Sequence, residues 1–231
     1  MALRKNTGYS FYRDVFSQRG GFIILDFTGI LLAGGKSSRM GKNKAFLELN
    51  GKPFIEKNLE ILQLIFSEVF ISSNTPELYS QYKVRVVQDH YVEHGPLGGI
   101  QACLQEAVSE FCFIAACDIP FLNPDLIRFM ASLTERYDIV APKTAGGIHP
   151  LYAFYKRSSC LPKIEKSLKA GILKTIDFFD QCSVRYISES EIERFGNVQL
   201  LLYNVNTPEE WVKFQMEWEK AKGFAQDKYR C

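Results

Sequence analysis

Leu31-Leu32-Ala33-Gly34-Gly35-Lys36-Ser37-Ser38-Arg39-Met40-Gly41-Lys42-Asn43-Lys44 is the stretch around which the chain is organised. It follows an apolar run, residues 27–32, that reads as a buried strand. Gly34-Gly35 ends that strand, because glycine takes the positive φ that a sharp turn needs. Four cations then follow with no acid among them: Lys36, Arg39, Lys42 and Lys44. A glycine turn exposes backbone N–H groups at close range, and those groups with nearby cations suit a polyphosphate. The expectation is a phosphate-binding loop at the carboxyl end of the first strand of an α/β sheet.

Two common phosphate motifs do not fit. A P-loop needs G-x-x-x-x-G-K-[ST]. Gly35-Lys36-Ser37 supplies its end, but Ile30 stands where the first glycine belongs and Gly29 is one place off. The dinucleotide pattern G-x-G-x-x-G is absent. Two glycines alone would read as a solvated basic loop. The whole stretch, Leu-Ala-Gly-Gly-x-Ser-x-Arg-Met-Gly-x-x-Lys from Leu32 to Lys44, resembles the signature loop of nucleotidyltransferases that join a nucleoside triphosphate to a phosphorylated acceptor. Within them it most resembles the molybdenum cofactor guanylyltransferases.

Composition bounds the reading. The chain has 231 residues, 46% hydrophobic and 23% charged, which suits one globular domain with a full core. Net charge is +2 and there is no dense basic tract, so nucleic acid is not an expected partner. The 6 cysteines include no C-x-x-C pair and read as reduced thiols rather than a zinc site or disulfide framework. Residues 22–32 are apolar after a basic start, but Asp26 interrupts them and no small-residue cleavage site follows. No stretch is long and apolar enough for a membrane span, and the expected location is the cytoplasm. Residues 1–21, with no clear period, read as an extension, partly disordered, ahead of a single domain over 22–231.

Along the chain, residues 53–66 carry apolar positions at helical spacing, and 68–73 and 84–87 read as short strands. Gly95-Pro96-Leu97-Gly98-Gly99 is a turn opening a helix. Residues 111–116 are a buried strand ending at Cys117-Asp118, and Asn123-Pro124 starts the next helix as cap and first-turn proline. Further strands are predicted at 138–142, 151–155, 183–187 and 200–203, and helices at 158–168 and 173–179. Thr207-Pro208-Glu209-Glu210 is a capping box leading into a helix with Trp211, Phe214 and Trp218 inward. The alternation of strands and helices through the first 140 residues predicts a doubly wound, mostly parallel α/β sheet. Ligands of such sheets bind beyond the carboxyl ends of the strands, so Gly34, Gly35, Ser72, Ser73, Asp89 and Asp118 are the residues to inspect.

Asp118 is the first of these. An aspartate after a strand is often a turn former or cap, but Asn123 already caps the next helix. A carboxylate beside a triphosphate needs a cation between them, and Mg²⁺ binds through one or two carboxylates plus substrate phosphates. Lys44, at the far end of the loop, is placed to fold back on the phosphates as a point charge. Arg39 reads equally as an α-phosphate contact or as a salt-bridge partner, and Ser72 and Asp89 by themselves as ordinary strand-end polar groups. His149 is a loop histidine before a proline, more structural than a general base, and at most lines an acceptor site.

The resemblance extends past the loop. Gly95-Pro96-Leu97-Gly98-Gly99 is similar to the family's G-P-L-[AG]-G turn, Cys117-Asp118-Ile119-Pro120 to its C-D-x-P segment, and Asn204-Val205-Asn206-Thr207-Pro208 to its N-V-N-T-P. Residues 28–212 are covered, with the motifs in the family's order. The resemblance implies a Rossmann-like nucleotidyltransferase fold. It implies that Leu32, Ala33, Gly34, Gly35, Lys44, Ser72, Asp89 and Asp118 bind GTP, with Lys44, Arg39 and Asp118 catalytic and Asp118 holding Mg²⁺. Two departures stand out: Asn43 replaces the family's usual aspartate, and Ser72 stands where some members carry asparagine. The implied reaction transfers GMP from GTP to the phosphate of the molybdopterin cofactor and releases pyrophosphate. Other cofactor-biosynthesis proteins are implied contacts. The alternatives are a cytidylyl or sugar-phosphate nucleotidyltransferase, a non-catalytic cofactor-binding protein of the same fold, or, less well matched, a nucleotide hydrolase.

Overall fold

A computed structural model describes residues 24–34, 44–49, 51–91 and 93–228, the side chains of Lys44 and of residues 220–228 excepted. The predicted extension over 1–21 lies outside the described residues, as do Gly35, Lys36, Arg39, Lys42 and Asn43.

The first half alternates strands and helices: β1 (Leu25–Leu32), α1 (Phe54–Ile65), β2 (Phe66–Ser72), β3 (Arg85–Val87), α2 (Gly95–Glu106), β4 (Phe111–Ala116) and α3 (Pro124–Ala131). The second half follows with β5 (Ile139–Thr144), β6 (Gly147–Ile148), β7 (Tyr152–Lys156) and α4 (Arg157–Lys169). The chain closes with β8 (Val184–Ile187), α5 (Glu189–Ile192), α6 (Val198–Leu201) and α7 (Pro208–Lys228).

The sheet runs β3-β2-β1-β4-β7-β5-β6, with β8 also paired to β5. β1 pairs parallel with β2 and β4, β2 with β3, and β5 with β8. β7 is the reversed strand, antiparallel to both β4 and β5, while β6 folds back on β5 as a hairpin. The mostly parallel sheet expected from the sequence is therefore observed, with a reversed strand inserted beside its centre.

Both faces of the sheet are buried, which explains the continuous apolar runs. In β1, Leu31 enters one core cluster, while Ile30 and Leu32 enter the other. In β4, Phe113 and Ala115 face the first cluster, and Cys112 and Ile114 the second. α1 and α3 cover the first face, α2 and α4 the second. A third cluster joins Leu49 and Phe54 to Leu200, Val205 and Phe214, with Trp211 and Trp218 packed against it. It ties the C-terminal helix to the segment just after the glycine loop.

Local signals hold at several ends. Asn123 caps α3, its side-chain oxygen accepting from the Leu126 N–H at 2.9 Å. Thr207 Oγ1 accepts from the Glu210 N–H at 3.2 Å, and the Glu210 carboxylate accepts from the Thr207 N–H at 3.1 Å, completing the predicted capping box.

Three local expectations are corrected. Residues 173–179 are not an α-helix: Asp177, Phe179 and Gln181 each donate to the carbonyl three residues back. Phe178 and Phe179 are both buried there, and an amphipathic helix on a sheet does not bury consecutive residues so readily. Residues 200–203 are not a strand, because Leu200 and Leu201 end α6, whose N-terminus Asn197 caps through the Leu200 N–H at 3.2 Å. A short apolar run does not distinguish the two forms by periodicity. Phe66 begins β2 rather than ending α1, since its backbone is extended at φ −112°, ψ 144°.

Candidate active site

In the order β3-β2-β1-β4, the direction of chain progression reverses between β1 and β4, the topological switch point at which open α/β sheets bind ligands. The glycine loop leaves β1 on one side of that point and Asp118 leaves β4 on the other. Backbone bonds extend the pairing past the strand ends. The Ala33 N–H donates to Ser72 O at 2.9 Å, the Cys117 N–H to Leu32 O at 3.0 Å, and the Ser73 N–H to Val87 O at 2.9 Å. Leu32, Ala33, Gly34, Ser72, Asp89 and Asp118 therefore share one edge. Parallel strands are spaced about 4.8 Å apart, so three spacings from β3 to β4 span about 14 Å, the scale of an extended nucleotide. Of the other predicted site residues, Gly35 and Arg39 lie outside the described residues, and Lys44 is placed by its backbone at the start of a 3-10 turn, Lys44–Phe46.

The β4 end is held from two sides. Asp118 O accepts from the Val205 N–H at 2.9 Å, which brings the N-V-N-T-P segment against the aspartate as its motif suggests. The buried Asn58 of α1 donates its side-chain N–H to Ile119 O at 2.8 Å. The C-D-x-P turn is thus clamped between the first helix and the C-terminal segment. Asp118 itself is half-buried.

The β1 end has a support that sequence reading missed. Tyr79, buried in a 3-10 turn over Pro76–Tyr82, donates its hydroxyl to Ala33 O at 3.0 Å. Phe46 stacks on that ring with centroids 5.8 Å apart. The chain entering the glycine loop and the chain leaving it therefore meet at one aromatic pair. Nothing local in residues 76–82 marks Tyr79 for this role.

At the β2 and β3 ends, Ser72 is buried and its hydroxyl donates to the Asp89 carboxylate. Asn74, also missed in the sequence, donates Nδ2–H to Asp89 Oδ2 at 3.0 Å and accepts the Asp89 N–H on Oδ1 at 2.9 Å. Burial nevertheless raises the Asp89 pKa above the ordinary aspartate value, against the opposing effects of Asn74, Ser72 and His90. Gly99, in the first turns of α2, packs on this group: a Cβ there would lie 2.5 Å from Ser72 Oγ and 3.3 Å from Asp89 Oδ1. The G-P-L-G-G segment is thus helix, not only turn, and its glycine lets α2 close on the strand-end polar groups.

His149 stands at the same edge, where β7 begins beside the end of β5. Its Nε2 lies 3.0 Å from Thr144 Oγ1, its backbone N–H donates to Pro142 O, and burial lowers its pKa, favouring the neutral ring.

The donor chemistry fits a hard divalent cation shared with substrate. Among the described residues no group of three or more His, Cys, Asp or Glu side chains could hold a metal. A single carboxylate at the switch point matches a cation that keeps waters and takes its remaining ligands from phosphates. Among the described residues no helix is long and apolar enough to cross a membrane.

Comparison with known proteins agrees with this geometry. Residues 29–181 match the family model described as MobA-like NTP transferase domain. A protein of Pelotomaculum thermopropionicum named probable molybdenum cofactor guanylyltransferase is 38% identical, covering 86% of this chain and 97% of that protein. One of the same name from Carboxydothermus hydrogenoformans is 39% identical, covering 81% and 94%. The crystal structure of molybdopterin-guanine dinucleotide biosynthesis protein A from Archaeoglobus fulgidus superposes with a TM-score of 0.73 at 25% identity, covering 84% of this chain and 99% of that one.

Proposed function

Since this chain belongs to the MobA-like NTP transferase family, we propose that it transfers GMP from GTP to the terminal phosphate of the molybdopterin cofactor, forming the guanine dinucleotide and pyrophosphate. The chain is a nucleotidyltransferase of molybdenum cofactor biosynthesis, as its relatives' names and its family agree. The observation that carries the residue-level reading is the alignment of Gly34, Ser72, Asp89 and Asp118 along one sheet edge across the switch point.

In this reading the base and ribose lie over the β2 and β3 ends, with Asp89 accepting hydrogen bonds from the nucleoside. The phosphates lie over the β1 loop, whose N–H groups and Lys44 and Arg39 side chains hold them. An oxygen of the acceptor phosphate forms the new bond to the α-phosphorus. The bond to the β-phosphate bridging oxygen breaks, and pyrophosphate leaves with the electron pair. The acceptor phosphate is already ionised at neutral pH, so no side chain need act as base. Asp118 would hold Mg²⁺, which when bound offsets charge on the phosphate oxygens. The Val205 and Asn58 hydrogen bonds, to the backbone carbonyls of Asp118 and Ile119, hold the main chain that carries that carboxylate. His149 and Thr144 line the side where the acceptor enters.

The test is pyrophosphate release with Mg²⁺ and molybdopterin cofactor, comparing GTP, CTP and ATP. Release with GTP alone is expected. Release with CTP would overturn the guanine assignment and keep the chemistry. Asp118→Asn should abolish release while nucleotide binding persists; loss of nucleotide binding alone, with turnover restored at saturating GTP, would remove Asp118 from the metal role.

A further inference from the structure

We infer that Asn74 is a positioning residue that fixes the orientation of the Asp89 carboxylate, and so sets GTP affinity without touching the nucleotide. The inference rests on the nucleotide-binding reading of Asp89 given above.

The two residues close a ring. Asn74 Nδ2–H donates to Asp89 Oδ2 at 3.0 Å, and Asn74 Oδ1 accepts the Asp89 backbone N–H at 2.9 Å. The chemistry fixes the amide orientation, because a backbone N–H requires an oxygen opposite it and a carboxylate requires a donor. With main chain and side chain of Asp89 both tied to one amide, its carboxylate cannot turn freely. Oδ2 is occupied by Asn74, while Oδ1 lies 3.3 Å from where a Gly99 Cβ would stand, on the side where α2 meets the strand ends. Asn74 follows β2 and is exposed, so it contributes little to the core. Its placement makes sense as a constraint on Asp89, with Ser72 supplying a second donor to the same carboxylate from the buried side.

Two substitutions separate the parts of this arrangement. Asn74→Ala removes both bonds. Asn74→Asp is nearly isosteric and keeps an acceptor for the Asp89 N–H, but sets a carboxylate against Oδ2, which like charges oppose. Each is made in the full chain, alone and combined with Asp89→Ala, and steady-state pyrophosphate release is measured against GTP concentration together with the thermal midpoint. Loss of a hydrogen bond to a charged group predicts that Asn74→Ala raises KM for GTP about tenfold with kcat within about twofold. Asn74→Asp should raise KM further. Both effects should vanish in the Asp89→Ala background, and the midpoint of Asn74→Ala should match the parent. An unchanged KM in Asn74→Ala, while Asp89→Ala raises it, overturns the inference. So does an Asn74→Ala effect that persists without Asp89, since Asn74 would then act directly or through the fold. An Asp89→Ala protein with the parent KM refutes the nucleotide reading of Asp89 itself, and the role of Asn74 falls with it.

Discussion

Gly99→Ala tests the packing of the proposed nucleotide end of the site. Gly99 is buried in α2, and its backbone is not in the left-handed region, so alanine gains about 1 kcal/mol in helix propensity. Against that gain, the new Cβ lands 2.5 Å from Ser72 Oγ and 3.5 Å from Leu32 Cδ2. Real Cβ atoms do not come so close, so either Ser72 rotates or α2 shifts, an overpacking cost of about 1–3 kcal/mol. The two terms largely offset, and the fold should lose about 0–2 kcal/mol. Function should suffer more. If Ser72 turns away, Asp89 loses a charge-assisted hydrogen bond that is worth about 1.5–3 kcal/mol, or about 10- to 100-fold in GTP affinity. The assay is titration with a fluorescent GTP analogue beside a thermal melt. Adding Ser72→Ala should relieve the clash and recover melting stability, but not the affinity that the lost hydroxyl supplied. A Gly99→Ala protein that binds GTP like the parent would refute the idea that α2, Ser72 and Asp89 form the floor of the nucleotide site.

Phe214 is fully buried between Trp211 and Trp218, so Phe214→Ala should cost about 3–5 kcal/mol in urea unfolding; a loss below about 1 kcal/mol would mean that α7 does not brace the domain. The Cys160 thiol donates to the Cys182 sulfur and, with the Lys163 ammonium, draws the Cys182 pKa down to about 7. The thiolate therefore accumulates as pH rises through about 7, and iodoacetamide should label Cys182 with that midpoint while Cys112, pushed up to about 12 by burial, stays unlabelled in the folded protein. Burial lowers the His149 pKa, so the ring is neutral across the neutral range; His149→Gln should leave the pH profile of kcat unchanged there and raise KM for the acceptor. Loss of an acidic limb would instead make His149 a general base, since protonation of the ring would have switched that base off.

The end of β1 at the glycine pair, the C-D-x-P turn and the capping signals were legible in the sequence because each is local. Asn123 caps α3 and Thr207 with Glu210 caps α7 because an N-cap needs only residues within one turn. β4 was read with its observed bounds because a strand buried on both faces leaves a continuous apolar run. Residues 173–179 and 200–203 were misread because short apolar stretches carry no usable period. In the site, Asp89 and Asp118 could be singled out by their position after strands, whereas Asn74 and Tyr79 could not. Asn74 reaches Asp89 across 15 residues, and Tyr79 reaches Ala33 across 46.

By itself the chain determined a mostly parallel-sheet fold, a glycine pair with following cations after its first strand, and a carboxylate after its fourth, because alternation, glycine and strand-end polarity are written in consecutive residues. Only the tertiary structure decided that β7 runs backwards beside β4, that Val205 and Asn58 clamp the Asp118 turn, and that Asn74 and Ser72 hold Asp89 between them. Those contacts join residues far apart in sequence. Their geometry comes from strand order and from how helices close over the sheet edge, which no local pattern encodes.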